Sequence, residues 1–176
     1  MLYRIKQFWW ARTAQPLSKV QWLRVQGVLA SAELLTLFST QSNSDQQHTL
    51  RILNLLQSPI DQNNSLLKAA LLHDVGKTRL SISILDRVFV VLASLFIPKR
   101  SATWGLDPQP PFRYRKSFVM KHWHPAWGAD MAAAAGADQL TINLIRRHQD
   151  ALVLDAAQAS KEEKLLQRLQ WADDQS

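Results

Sequence analysis

One stretch of the sequence, Ser65 to Lys77, constrains the fold of this chain more than any other. Its run Leu-Leu-Lys-Ala-Ala-Leu-Leu is so apolar that a helix formed by it is expected to be buried on most sides. We predict that Ser65 caps this helix and that Gly76 ends it in a left-handed conformation. The polar pair His73-Asp74 lies where the pattern predicts core. Because burying an imidazole and a carboxylate is costly unless each has a partner or a cation, the pair indicates a metal site.

The remaining sequence is also typical of helices. Apolar residues recur at helical spacing, and no segment shows a convincing strand alternation. Ser44 and Ser160 each open a capping-box pattern, with Gln47 and Glu163 at the third helical position. Pro125 suits the first position of a further helix. The sequence therefore predicts an all-α fold of roughly seven helices.

The organisation of the chain follows its composition. With 176 residues, the chain is expected to form mainly one domain. We assign residues 1–43 to a basic and aromatic N-terminal helical extension and residues 44–176 to the main helical domain. Within the main domain, residues 80–121 form an insertion that is apolar at first and basic later. This insertion is interpreted as a lid, a partner site or a membrane contact.

The net charge of +7 is unevenly distributed. One basic cluster, opposed only by Asp107, consists of Lys99, Arg100, Arg113, Arg115, Lys116 and Lys121. Such clusters attract phosphates, nucleic acid or anionic lipid, and a solvated basic face is an equal alternative. Because no nucleic-acid-binding motif accompanies the charge, we expect no specific nucleic-acid recognition.

The sequence also limits the chemistry and the location of the protein. It contains no cysteine, which excludes disulfides, thiolate catalysis and iron–sulfur clusters. No secretory signal is evident, and the longest uncharged apolar run, Val88 to Ile97, is about half of what a membrane-spanning helix needs. We expect a cytoplasmic protein, either free or bound peripherally to an anionic membrane surface through residues 1–24 and 82–100.

Six polar residues occupy inward helix positions or helix ends. A single inward histidine is more often a core residue with a satisfied partner, and Asp173 has the alternative of being solvated near the chain end. Together, however, neutral imidazoles and carboxylates indicate a site for divalent metals. The six candidates are His48, His73, Asp74, His124, His148 and Asp173.

These residues lie in an order that resembles the HD-domain metal-dependent phosphohydrolase superfamily. Residues 71–77, Leu-Leu-His-Asp-Val-Gly-Lys, look like its central signature. Residues 124–129 are similar to the following motif of the HDIG-type branch, and residues 145–150 and 171–173 look like its later motifs. The resemblance covers about residues 44–174 and implies an all-helical bundle.

The resemblance also implies ligand roles. His48, His73, Asp74 and Asp173 would hold one metal ion. His124 and His148 would extend the site to a second ion, with Asp74 as the bridge. One or two divalent ions are expected, of Mn, Fe, Mg, Co, Ni or Zn.

The implied activity is hydrolysis of a phosphate ester, with a nucleotide-like substrate favoured, by a metal-activated water. Asp74 and Lys77 are the catalytic candidates, and Lys77 would neutralise developing phosphate charge. Arg79, Arg146 and Arg147 are further candidates for substrate binding.

Two departures leave an alternative open. Gln149 follows His148 where the branch often has a second histidine, and the Gly-Tyr-Pro extension of cyclic-dinucleotide phosphodiesterases is absent after His124. The alternative is a catalytically weak HD-type module that senses a nucleotide or binds a partner, with a membrane surface as one such partner.

Overall fold

A computed structural model describes residues 14–57, 63–101, 103–107, 113–151 and 159–176. These residues contain helices and no β-strand, so the all-α prediction is confirmed. The α-helices are α1 Lys19–Leu29, α2 Ala32–Ser39, α3 Asn43–Leu56, α4 Asn64–Leu72, α5 Ile84–Phe96, α6 Pro98–Ser101, α7 Lys116–Ala134, α8 Gln139–Arg147 and α9 Lys161–Gln175. Two 3₁₀ helices cover Val75–Arg79 and Arg113–Arg115.

Two helix starts differ from their predicted positions. The cap of α3 is Ser42 and not Ser44, and its hydroxyl accepts a hydrogen bond from the third helical residue. The cap of α4 is Asn63, which places Ser65 inside the helix. In both cases an earlier polar residue caps the helix and lets it begin sooner. The capping box at Ser160 is present as predicted.

Helix α4 lies at the centre of the fold. Every residue from Leu66 to Leu72 is buried except Lys68, as expected for so apolar a segment. This helix packs against α1, α3, α8 and α9. Val25 of α1 and Phe38 of α2 belong to the same core, so residues 19–39 pack onto the helices of the main domain. The central burial of α4 fixes the position of the two polar residues that follow it.

Gly76 does not end α4 in a left-handed conformation. The only described glycine with a positive φ is Gly136, at 80°. The chain instead continues from α4 into the 3₁₀ helix Val75–Arg79, whose Gly76 lies against α7. A Cβ atom at this position would lie 2.6 Å from the Gly128 backbone nitrogen and still closer to the His124 carbonyl oxygen. Glycine is needed here for close backbone approach.

The insertion at residues 80–121 contains α5, α6 and the beginning of α7. Phe89 of α5 stacks on Trp104, with ring centroids 6.0 Å apart, and meets Phe118 edge-on at 6.4 Å. Since α7 begins at Lys116, the prediction that Pro125 starts a helix is wrong, and this proline lies inside α7. In the part of the chain that the structure describes, no helix has the length and apolarity to cross a bilayer.

Candidate metal centre

The structure brings the six predicted ligand residues together. They come from five helices or from the residues that directly follow them. His48 lies on α3, His73 and Asp74 follow α4, His124 lies on α7, His148 follows α8, and Asp173 lies on α9. Four of them, His73, Asp74, His124 and His148, are buried.

The two carboxylate oxygens of Asp74 face different imidazoles. Its Oδ2 lies 3.5 Å from His73 Nε2 and 3.8 Å from His48 Nε2. Its Oδ1 lies 3.4 Å from His124 Nε2 and 4.0 Å from His148 Nε2. Asp74 therefore stands between two sets of potential ligands.

We call these sets the first and the second donor group. The first consists of His48, His73, Asp173 and Asp74 Oδ2, and the second of His124, His148 and Asp74 Oδ1. In the first group, Asp173 Oδ1 lies 3.0 Å from His48 Nε2 and 3.8 Å from His73 Nε2. Asp173 thus faces the centre, although it is 35% exposed.

Two of the imidazoles are oriented by the ends of their own helices. The Nδ1 of His73 donates to the Ala70 carbonyl at 3.1 Å, and the Nδ1 of His148 donates to the Ile145 carbonyl at 2.7 Å. Carbonyls in the last turn of a helix lack the usual donor four residues later. With the proton on Nδ1, the Nε2 lone pair points into the centre, as a metal ligand requires.

His124 obtains the same orientation inside a helix because Pro125 follows it. In α7 the carbonyl of Lys121 would accept from the N–H of Pro125, which proline lacks. The His124 Nδ1 lies 3.1 Å from this free carbonyl and 3.0 Å from that of Met120. The His-Pro dipeptide is therefore a signal for an oriented imidazole, which the interpretation of Pro125 as a helix start does not use.

His48 is oriented by Ser176. The Ser176 hydroxyl lies 2.9 Å from His48 Nδ1 and 3.0 Å from the Asp173 carbonyl. Because the hydroxyl donates to that carbonyl, it accepts from the His48 Nδ1–H. Ser176 thus joins two members of the first donor group. No spacing or periodicity in the sequence marked it.

The donor atoms fit a bound cation. His73 Nε2 is buried and has no hydrogen-bond partner. The Nε2 atoms of His124 and His148 lie 3.2 Å apart, so two lone pairs face each other beside a carboxylate. Ligands around one ion at bond lengths of about 2.0–2.2 Å lie at most about 4.4 Å apart, and the separations given above fall within this limit. The mixed nitrogen and oxygen set suits divalent metals.

The protonation states also suit metal binding. Burial lowers the pKa of His73, and burial together with His73 lowers the pKa of His148 to about 3. Burial alone would raise the pKa of Asp74, but Lys77, His73 and His124 hold it well below its ordinary value. Burial alone would raise the pKa of Asp173, but His48 and His73 together hold it below its ordinary value. His73 and His148 are therefore neutral, and the carboxylates of Asp74 and Asp173 are charged. These are the forms that bind metal.

Lys77 contacts the centre directly. Its Nζ lies 2.5 Å from Asp74 Oδ2, and its side chain is 34% exposed. Burial alone would lower the pKa of Lys77, but Asp74, Asp45 and Asp173 together raise it. Asp45, one turn before His48, is thus a further charged group near the centre.

The predicted substrate-binding arginines have other contacts. The Arg79 guanidinium lies over the Trp127 ring, 5.1 Å from its centroid. Arg146 pairs with Asp130 at 2.7 Å. Arg147 pairs with Asp150 and with Glu162. Their role in substrate binding stays a prediction.

Gln149 lies outside both donor groups. It is exposed and lines a cavity of about 590 Å³ with Lys121, His122, Arg146 and Asp150, among others. The second donor group therefore consists of Asp74, His124 and His148, without a contribution from residue 149.

Comparison with known proteins gives the family. The family model named HD domain matches residues 46–173. The chain belongs to the HD domain family. The match contains all six ligand candidates and ends on Asp173. HD domains typically bind divalent metals and are generally phosphohydrolases, which agrees with the buried histidines and aspartates of this chain. No curated protein and no solved structure matches the chain.

The Ser176 contact leads to a prediction about metal affinity. Ser176→Ala removes the acceptor of the His48 Nδ1–H, and loss of such an outer partner typically weakens metal binding about 10–100-fold. We expect this loss at the first donor group, measured by calorimetric titration with Mn²⁺ or Zn²⁺. The matched control is Ser39→Ala, which removes an exposed hydroxyl bonded to the Thr36 carbonyl. Equal affinities of the two variants would contradict the orienting role.

Proposed function

We propose that this HD domain is a divalent-metal-dependent phosphohydrolase that cleaves a phosphate ester, with a nucleotide-like substrate favoured. The observation that carries the proposal is the position of Asp74. Its two oxygens each face imidazole Nε2 atoms of a different donor group. Such an arrangement suits one carboxylate that bridges two ions.

The two donor groups would bind two ions. The first donor group would hold one ion, the second donor group would hold another, and Asp74 would belong to both. When bound, the ions would supply an acidified water and offset the charge of the phosphate. The outer contacts to Ala70, Ile145, Lys121 and Ser176 would keep the four imidazoles in position.

Lys77 would assist at the phosphate. Its ammonium already lies at the centre and is partly exposed to solvent, so a ligand entering from solvent can meet it. With a metal ion held by Asp74, the ammonium would be available to the substrate. A fixed cation beside the phosphoryl group stabilises the charge that develops during hydrolysis. Arg79, which contacts the Trp127 ring, is a second cation of the same 3₁₀ helix.

The proposal is tested by metal content and by turnover. We expect purified protein to bind up to two divalent ions per chain, as measured by elemental analysis. We expect metal-dependent hydrolysis of a member of a panel of nucleotides and generic phosphate esters. Chelator should abolish the activity and added metal should restore it. Activity that persists without metal would contradict the proposal.

A second candidate function is a catalytically weak module that senses a nucleotide. It is favoured by the three-residue second donor group, which lacks a contribution from Gln149. Under this alternative a nucleotide would raise the melting temperature of the metal-loaded protein, while no ester of the panel would yield product. Product formation would select the enzyme.

A further inference from the structure

We infer that α5 binds the surface of an anionic lipid membrane. This inference is independent of the metal centre and goes beyond the proposed hydrolysis. Helix α5 is apolar on two faces. One face is covered by the protein, since Phe89 packs on Trp104 and Phe118, and Ala93 is buried. A helix of this kind needs a partner for its second face.

The second face carries a stripe of exposed apolar side chains. Val88, Leu92, Leu95 and Phe96 follow the spacing i, i+4, i+7 and i+8, which places them on one side of α5. Their exposed fractions are 48%, 47%, 70% and 79%. Contiguous apolar surface in water marks a contact with another molecule or with a membrane. We call these four residues the exposed stripe.

The charge that follows the exposed stripe in the sequence selects the kind of partner. The sequence from residue 99 to residue 121 carries six lysines and arginines and a single acidic residue, Asp107. Among the described side chains of this segment, Lys121 is exposed, and Arg115 and Lys116 are partly exposed. Apolar side chains flanked by cations fit a bilayer of anionic lipid. The apolar side chains would enter the boundary between headgroups and acyl chains, and the cations would contact the lipid phosphates.

Other features of the described chain agree with a membrane surface. Tyr114 and Leu106, in the same insertion, are 49% and 56% exposed, and tyrosine is enriched at membrane interfaces. Helix α5 has 13 residues, so it would lie in the interface without crossing the bilayer. A second copy of the chain is disfavoured as the partner, because each copy carries a net charge of +7.

The test is sedimentation of the full chain with lipid vesicles. We expect binding to phosphatidylcholine vesicles that contain about 30% phosphatidylserine, weak binding to pure phosphatidylcholine, and release at about 0.5 M salt. The double variant Leu95→Ser/Phe96→Ser should weaken binding at least about tenfold, because it removes two large apolar side chains from the contact. Both residues are exposed, so thermal unfolding should be unchanged.

A matched control lies outside residues 1–24 and 82–100. Leu55→Ser/Trp171→Ser removes two apolar side chains, on α3 and α9, that are 43% and 53% exposed. This control should bind vesicles like the unaltered chain. The inference is overturned if L95S/F96S binds as the control does. It is also overturned if Trp9→Ser/Trp10→Ser, in the basic and aromatic N-terminal extension, abolishes binding while L95S/F96S does not. A chain that does not bind the anionic vesicles also overturns the inference, whether or not it forms a dimer that L95S/F96S dissociates.

Discussion

Asp74→Asn is expected to weaken metal binding at both donor groups at once. The substitution keeps the size of the side chain but removes the charge that faces four imidazoles. Loss of an outer partner of a metal ligand typically costs about 10–100-fold in affinity or activity, so loss of a shared ligand should cost at least about 100-fold. We expect hydrolysis to fall by the same factor or more. Calorimetric titration and elemental analysis measure the stoichiometry.

Two comparison variants make this prediction specific. Asp173→Asn alters only the first donor group, so one ion should still bind at the second. Asp130→Asn removes a carboxylate that is 63% exposed and pairs with Arg146, and it should leave both ions in place. If Asp74→Asn instead resembles Asp173→Asn and retains one tightly bound ion, Asp74 does not bridge the two groups. A loss of hydrolysis in Asp74→Asn would then have a cause other than the loss of a shared ligand.

The sequence predicted the parts of this centre that depend on local pattern. The apolar run before His73 predicted a buried helix, and a buried helix that ends in a histidine and an aspartate indicates a site. The sequence predicts Asp173 as an inward ligand in the same way, because it continues the apolar stripe that Leu166 and Leu169 form on α9. Each of these predictions needed only the helical repeat and the cost of burying a polar group.

The contacts that orient the ligands could not be predicted in this way. Ser176 meets His48 across 128 positions of the chain, a relation set by the packing of α9 on α3. The proline after His124 has an ordinary interpretation as a helix start, and only the length of α7 excludes it. The charge of Asp45, on α3, raises the pKa of Lys77 in the 3₁₀ helix, and no local pattern in the sequence shows this.

Gly76→Ala is expected to destabilise the protein strongly, although it adds only one methyl group. The new Cβ atom would lie 2.6 Å from the Gly128 nitrogen and would collide with the His124 carbonyl. Both contacts are with backbone atoms, which cannot rotate away. Overpacking of this kind costs about 3 kcal/mol or more, which corresponds to a fall of about 6–12 °C in melting temperature for a chain of this size. Calorimetric or circular dichroism melting measures it.

Gly27→Ala is the matched control, because a Cβ atom on this glycine would have no neighbour within 4 Å. This change inside α1 should stabilise the protein by about 0.5–1 kcal/mol.

The collision in Gly76→Ala should also separate Asp74 from His124, since Gly76 holds the 3₁₀ helix against α7 two residues after Asp74. Gly76→Ala should therefore lose affinity at the second donor group more than at the first. Unchanged stability and metal binding would show that α7 can move aside, and the close approach would then not fix the position of His124.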